Sequence, residues 1–128
     1  GITRDTSRSD LINAAFNSIT YQTKDIIDCL VSSGIEVESL NVDGGMVANK
    51  TFVQQIANLL NIDVSVPENT ESTARGVAVL AGVASKTFDL ELISDQKRMS
   101  MYPDRDAHLF MTEDYKNWKK LIVKLLSP

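Results

Sequence analysis

The chain has 128 residues, 43% of them apolar, with 17 acidic against 13 basic side chains and a formal charge of −4. That length fits one domain with its own core, or a piece of a larger one. The acidic balance argues against a partner that is a nucleic acid, and no apolar run approaches the ~18 residues of a membrane span.

The opening residues, Gly1-Ile2-Thr3-Arg4-Asp5, show neither an initiator Met nor the apolar stretch of a signal peptide, so the chain reads as a processed piece or a stretch prepared for expression. Ser7-Arg8-Ser9-Asp10 then matches a loose capping box. From Asp10 to Ser33 the apolar positions Leu11, Ala15, Ile19, Ile26 and Leu30 recur near helical spacing, widened by Ile12, Phe16 and Ile27. Gly34 sits where a left-handed residue would end that helix. Cys29, the sole cysteine, has no neighbouring His or cation to activate it and reads as a packed or idle thiol. Its solitude leaves no disulfide framework, which fits a reducing, cytoplasmic setting.

Residues 35–42 read as a first strand, which runs into Asp43-Gly44-Gly45. Met46/Val47, Phe52/Val53, Ile56 and Leu59/Leu60 then follow a helical period. Ile62, Val64 and Val66 alternate around Asp63 and Ser65, a second short strand stopped by Pro67. With a helix between them, the two strands are expected to lie parallel, joined by a right-handed crossover. The polar loop 68–72 leads to a third helix, Thr73 to about Ser85, unusually rich in small residues: Ala74, Gly76, Ala78, Ala81, Gly82 and Ala84. Each helical Gly costs about 1 kcal/mol, so another backbone or a ligand is expected to lie close to this helix.

After Phe88 the pattern weakens, and residues 89–111 read as a mixed connection with room for one short strand. Asp104-Arg105-Asp106 reads as a solvated turn, and His108 has no metal-ligand spacing around it. Tyr115, Trp118, Ile122 and Leu125 trace one face of a last helix, with Lys116, Lys119, Lys120 and Lys124 largely on the other. Basic residues near its C-terminus suit the helix dipole, and a docked helix is expected.

The Gly-Gly turn is the chemistry-bearing stretch. A strand ending in glycines before a helix is where α/β proteins hold ligands, because helix N–H groups face that crevice and a Cβ-free backbone admits a flat or anionic group. One reading is a P-loop: Gly44 to Thr51 nearly spells G-x-x-x-x-G-K-[ST], ending in Lys50-Thr51. Its second glycine is replaced by Asn49, however, and no second strand ends in an obvious magnesium-binding Asp.

The other reading rests on a resemblance. Asp43-Gly44-Gly45-Met46-Val47-Ala48-Asn49 resembles the adenosine-binding turn of the FGGY carbohydrate kinases, and of the glycerol kinases among them in particular. Further stretches are similar in the same order: Gly1-Ile2-Thr3-Arg4 with Thr6, then Tyr21-Gln22-Thr23-Lys24-Asp25, then Glu71-Ser72-Thr73-Ala74-Arg75-Gly76 with Leu80-Ala81-Gly82. The Tyr115…Trp118-Lys119-Lys120 ending is similar too, and the likeness is weakest between Phe88 and Met111. Two positions depart from the pattern, Asp5 for a usual Gly and Arg75 for a usual Leu. Arg75 faces either solvent or a phosphate.

The resemblance implies an α/β fold, part of a ribonuclease-H-like (actin/hexokinase/Hsp70-type) ATPase domain, with two clear parallel strands and flanking helices. Residues 1–128 would form part of the C-terminal actin-like domain, 88–128 being a connection and a docking helix. It implies ATP-dependent phosphorylation of glycerol to glycerol 3-phosphate by a parent enzyme. Here Gly44 and Gly45 would carry the adenosine end of ATP, and Asn49 would hydrogen-bond the base. Asp43 is read as bracing the turn rather than holding a metal. The catalytic Asp, the phosphate-gripping turns, most of the Mg2+ site and the polyol contacts would lie upstream, so no catalytic residue is expected in this chain and it would be inactive alone. Two alternatives stay open: another FGGY sugar kinase, such as a xylulose-type enzyme, and a non-catalytic adenine-nucleotide-binding or interaction module. The parent's oligomeric state is open as well, a homo-oligomer included.

Overall fold

The computed structural model describes residues 1–69, 71–87 and 97–127. Helix α1 spans Arg8–Ser32 and opens on the expected capping box: the Ser7 hydroxyl accepts from the Asp10 N–H while the Asp10 carboxylate accepts from the Ser7 N–H. It closes as a Schellman turn. Gly34, at φ +84°, donates to the carbonyl of Val31, and Ile35 donates to that of Leu30. That turn draws Ile35 back onto the helix, and strand β1 shrinks from the expected 35–42 to Ser39–Asn41.

The run after the glycines is not one helix. Gly45–Ala48 forms a single 3₁₀ turn, Asn49 breaks it with extended backbone (φ −82°, ψ 98°), and α2 runs from Lys50 to Leu60. Asn61 ends α2 in the left-handed conformation that Asn tolerates better than most residues. Strand β2 (Asp63–Pro67) lies parallel to β1, pairing Leu40 with Val64, as expected for strands joined through a helix. A third strand, β3 (Arg98–Met101), pairs antiparallel with β2, so the sheet is mixed, in the order β1-β2-β3. Of the expected connection, residues 88–96 lie outside the described residues, as does Thr70 in the 68–72 loop.

Helix α2 is the hub of the packing. Phe52, Val53, Ile56, Ala57 and Leu60 join Val47, Val64 and Val66 in one buried cluster, against which Phe16, Ile27, Leu40 and Met101 pack. Burying a Val or Leu of this kind contributes about 1.5–3 kcal/mol. Leu59, fully buried, turns the other way and joins Tyr21 of α1 and Tyr115 of α4 (Arg105–Leu126). Tyr21, Tyr115 and Trp118 cluster with ring centroids 5.4–6.1 Å apart, Tyr115 and Trp118 stacked and Tyr21 tilted against both.

Several expectations are corrected here. The α1 stripe of Leu11, Ile12, Ile19, Ile26 and Leu30 is exposed. The helix buries a different face, with Thr20 and Tyr21 at its centre and Phe16 and Ile27 beside them, because α2 and α4 lie there. Asp104-Arg105-Asp106 is solvated, but it is a helix start and not a turn. Asp104 is the N-cap of α4, its carboxylate accepting from Ala107 N–H at 2.8 Å, and 105–111 are helical. Leu125 is exposed, whereas Tyr115 is buried and Trp118 and Ile122 are half-buried. Helix α3 (Ser72–Ala84) has only Gly82 buried, and a Cβ on Gly76 would meet nothing within 4 Å. At Gly76 the close neighbour expected from the small residues is therefore absent among the described residues, whereas Gly82 is buried. Of the two readings of Cys29, packed or idle, the exposed free thiol fits the second. No helix among the described residues is long and apolar enough to cross a membrane.

Candidate functional site

The turn after β1 is built by its own glycines. Gly44 sits at φ +98°, ψ 174°, a conformation almost confined to glycine, and it reverses the chain between strand and 3₁₀ turn. A Cβ placed on either Gly44 or Gly45 would meet nothing within 4 Å, so the backbone here faces open space. That is the surface a flat ligand needs.

Asp43 fastens the turn from behind. Helix α3 has no side-chain cap of its own, since Glu71 makes no capping bond. The Asp43 carboxylate interacts with Ser72 at the first position of α3 and with the Gly44 backbone N–H, with Arg98 nearby. The Ser72 hydrogen bond, then that of Gly44, holds the Asp43 carboxyl below the usual carboxylate range despite its exposure. Asp43 therefore braces the turn. Ser72 and Arg98 were missed as members of this site; the only signal for Ser72 in the sequence was an uncapped helix start beside a Glu.

Asn49 closes the other side. Its side-chain oxygen accepts from the backbone N–H groups of Thr51 (3.1 Å) and Phe52 (3.3 Å), so it is the N-cap of α2. The structure thus brings Gly44, Gly45 and Asn49 onto one exposed turn at the C-terminal end of β1 and the N-terminal end of α2. Beside it, a groove of about 540 Å³ opens between Val47, Ala48 and Lys50 on one wall and residues 66–68 and 97–99 on the other. Beneath the sheet, Asn41 accepts from Ser65 and, at 3.2 Å, from Arg98, tying all three strands together by side chains.

Other candidate residues lie elsewhere. His108 uses Nδ1 on the backbone carbonyl of Asn58 at 2.9 Å, a contact that joins α4 to α2. Arg75 is half-buried beside Glu68, Asn69 and Lys97. No group of three or more His, Cys, Asp or Glu among the described residues is arranged to hold a metal ion.

Comparison with known proteins decides the family. The profile of the FGGY family of carbohydrate kinases, C-terminal domain, matches residues 1–85. The chain belongs to the FGGY family of carbohydrate kinases. A glycerol kinase from Streptococcus uberis is 37% identical over 131 residues, covering 96% of this chain and 25% of that protein. The crystal structure of Plasmodium falciparum glycerol kinase with ADP superposes with a TM-score of 0.76 at 30% identity, over 100% of this chain and 26% of that one. A xylulose kinase from Brucella ovis gives a TM-score of 0.80 at 24% identity, over 98% and 26%. This FGGY chain therefore spans about a quarter of the length of the relatives it matches, and its fold is that of the ribonuclease-H-like, actin-like ATPases. In this FGGY chain, the Tyr21…Asp25 segment ties two helices together: Asp25 accepts from Tyr115 and from Lys119 (2.6 Å), locking α1 to α4.

Proposed function

We propose that this chain supplies the adenosine-binding half of the ATP site of a kinase that phosphorylates glycerol to glycerol 3-phosphate. The observation that carries the proposal is the turn itself: two glycines facing open space, one of them in a glycine-only conformation, at the strand end of a kinase fold. Gly44 and Gly45 would lie against the nucleoside, with Asn49 beside the base. Residues 1–128 would form part of a C-terminal actin-like domain, with 88–128 as connection and docking helix. The exposed apolar stripe on α1, including Ile19 and Ile26, and Val77 and Leu80 on α3, supports a larger protein that covers them.

Phosphoryl transfer needs nucleophile, metal and γ-phosphate held together. Mg2+, when bound, supplies neutralisation of phosphate charge. On this reading the ion and the catalytic base belong to the remainder of the protein, and Asp43 serves the turn rather than the ion. The chain alone is then inactive, and its setting is the cytoplasm, where ATP is abundant.

A second reading is another FGGY sugar kinase, favoured by the fold likeness to the xylulose kinase. The test is ADP formation by the full-length protein carrying this sequence. Dependence on glycerol supports the first reading and dependence on xylulose the second. No ADP formation with either, alongside measurable ATP binding, leaves a non-catalytic nucleotide-binding module.

A further inference from the structure

The cap on α2 restricts what Asn49 can offer a ligand. Two backbone N–H groups, from Thr51 and Phe52, point at one side-chain atom, and only the amide oxygen can accept from them. The orientation of the amide is thus decided by chemistry. Its acceptor is spent on the helix, and what the exposed side chain has left is the NH2 group, two donors and no acceptor.

We propose that Asn49 reads the purine through a ring-nitrogen acceptor and takes no hydrogen bond from the exocyclic amine of adenine. This deepens, and rests on, the nucleotide reading of the turn. Adenine carries ring acceptors at N1, N3 and N7 and a donor at N6. An amide that offers only donors can meet the ring nitrogens and cannot meet N6. Turning the amide to present its oxygen would leave the Thr51 and Phe52 N–H groups without their cap. The ring acceptors N3 and N7 are shared by adenine, guanine and hypoxanthine, so a contact at either tolerates all three purines. Selection of adenine at this site, where it exists, then falls to other residues.

The experiment is equilibrium binding by the full-length protein, comparing wild type with Asn49→Asp. Aspartate caps a helix as well as asparagine but has no donor. The melting temperature should hold while ATP binding weakens roughly tenfold or more, the loss expected for a hydrogen bond to a ligand together with carboxylate repulsion. Deaza analogues separate those two effects. One of 1-, 3- or 7-deaza-ATP should bind wild type more weakly than ATP does, and that deaza penalty should vanish in the variant, which has no donor left to lose. Purine riboside triphosphate, which lacks the N6 amine, should show no such coupling to Asn49. Wild-type ATP affinity in Asn49→Asp, or coupling to the N6 amine, overturns the donor assignment while the nucleotide site stands. Failure of wild type to bind any purine nucleotide overturns both.

Discussion

The side-chain oxygen of Asn58 accepts the backbone N–H of Asp104 at 2.9 Å, joining the hub helix α2 to the start of α4 across 46 residues of chain. The same oxygen accepts from Gln54 Nε2 at 2.8 Å, and Gln54 also donates to the Tyr102 carbonyl at 2.7 Å. The Asn58 carbonyl, near the end of α2 where helical carbonyls lack partners, accepts from His108. Since a carbonyl only accepts, the Nδ1 of His108 carries the proton. The helix that begins at the candidate site is thus anchored at its far end by the last helix of the chain.

Asn58→Ala removes a buried acceptor, leaving the Asp104 N–H unpaired and Gln54 with only its bond to Tyr102. A loss of about 2 kcal/mol is expected, read as a lower denaturation midpoint. Amide exchange should quicken first at residues 104–108, the α4 start that Asn58 holds. Unchanged exchange there would show that Asn58 does not anchor α4.

The α1–α4 lock should respond to pH at both extremes. Partial burial works to raise the Asp25 pKa, but the hydrogen bonds from Lys119 and Tyr115 outweigh it and hold it below the usual carboxylate range. Asp25 therefore adds stability that is complete above the unfolded value of about 3.9 and fades as pH falls below it. Burial first, and then the hydrogen bond to Asp25, push the Tyr115 phenol well above its usual range. Its contribution is complete below about pH 10 and is lost as pH rises beyond that. Tyr115→Phe should cost about 1 kcal/mol at neutral pH and flatten the alkaline limb of a stability-versus-pH curve. An alkaline limb unchanged in the variant would assign it to other groups.

The two glycines of the turn should part company under substitution. Gly44→Ala places a side chain at φ +98° and should cost roughly 1–3 kcal/mol in stability. Gly45→Ala meets open space without a positive φ and should leave stability within about 0.5 kcal/mol. If the nucleoside lies against this backbone, Gly45→Ala weakens ATP binding even so. Calorimetry of the variant against wild type checks both halves of the expectation.

Lys50→Ala discriminates the P-loop alternative. In a P-loop the lysine at this position grips the β- and γ-phosphates, and removing it abolishes binding. On the kinase-family reading, Lys50 is an exposed first residue of α2 on the wall of the neighbouring groove. ATP affinity of the full-length variant should then stay within about threefold of wild type, a difference smaller than one hydrogen bond. Loss of all binding would reinstate the P-loop.

Local chemistry made much of this chain legible in its sequence. The Ser7–Asp10 capping box, the left-handed Gly34 and the glycine turn all depend on residues within a few positions of each other, and the parallel pairing of β1 with β2 follows from the helix between them. The family likeness is local as well, since those motifs are contiguous. What the tertiary structure alone decided is which apolar face meets which partner. Helical spacing marks a stripe such as Ile19 and Ile26, but it cannot say that Phe16, Thr20 and Tyr21 face α2 and α4 instead. The pairings of Asp43 with Ser72, Asp25 with Lys119 and Asn58 with Asp104 were hidden for the same reason. Each joins residues far apart in the chain, and a polar side chain carries no mark of a distant partner until packing sets the two side by side.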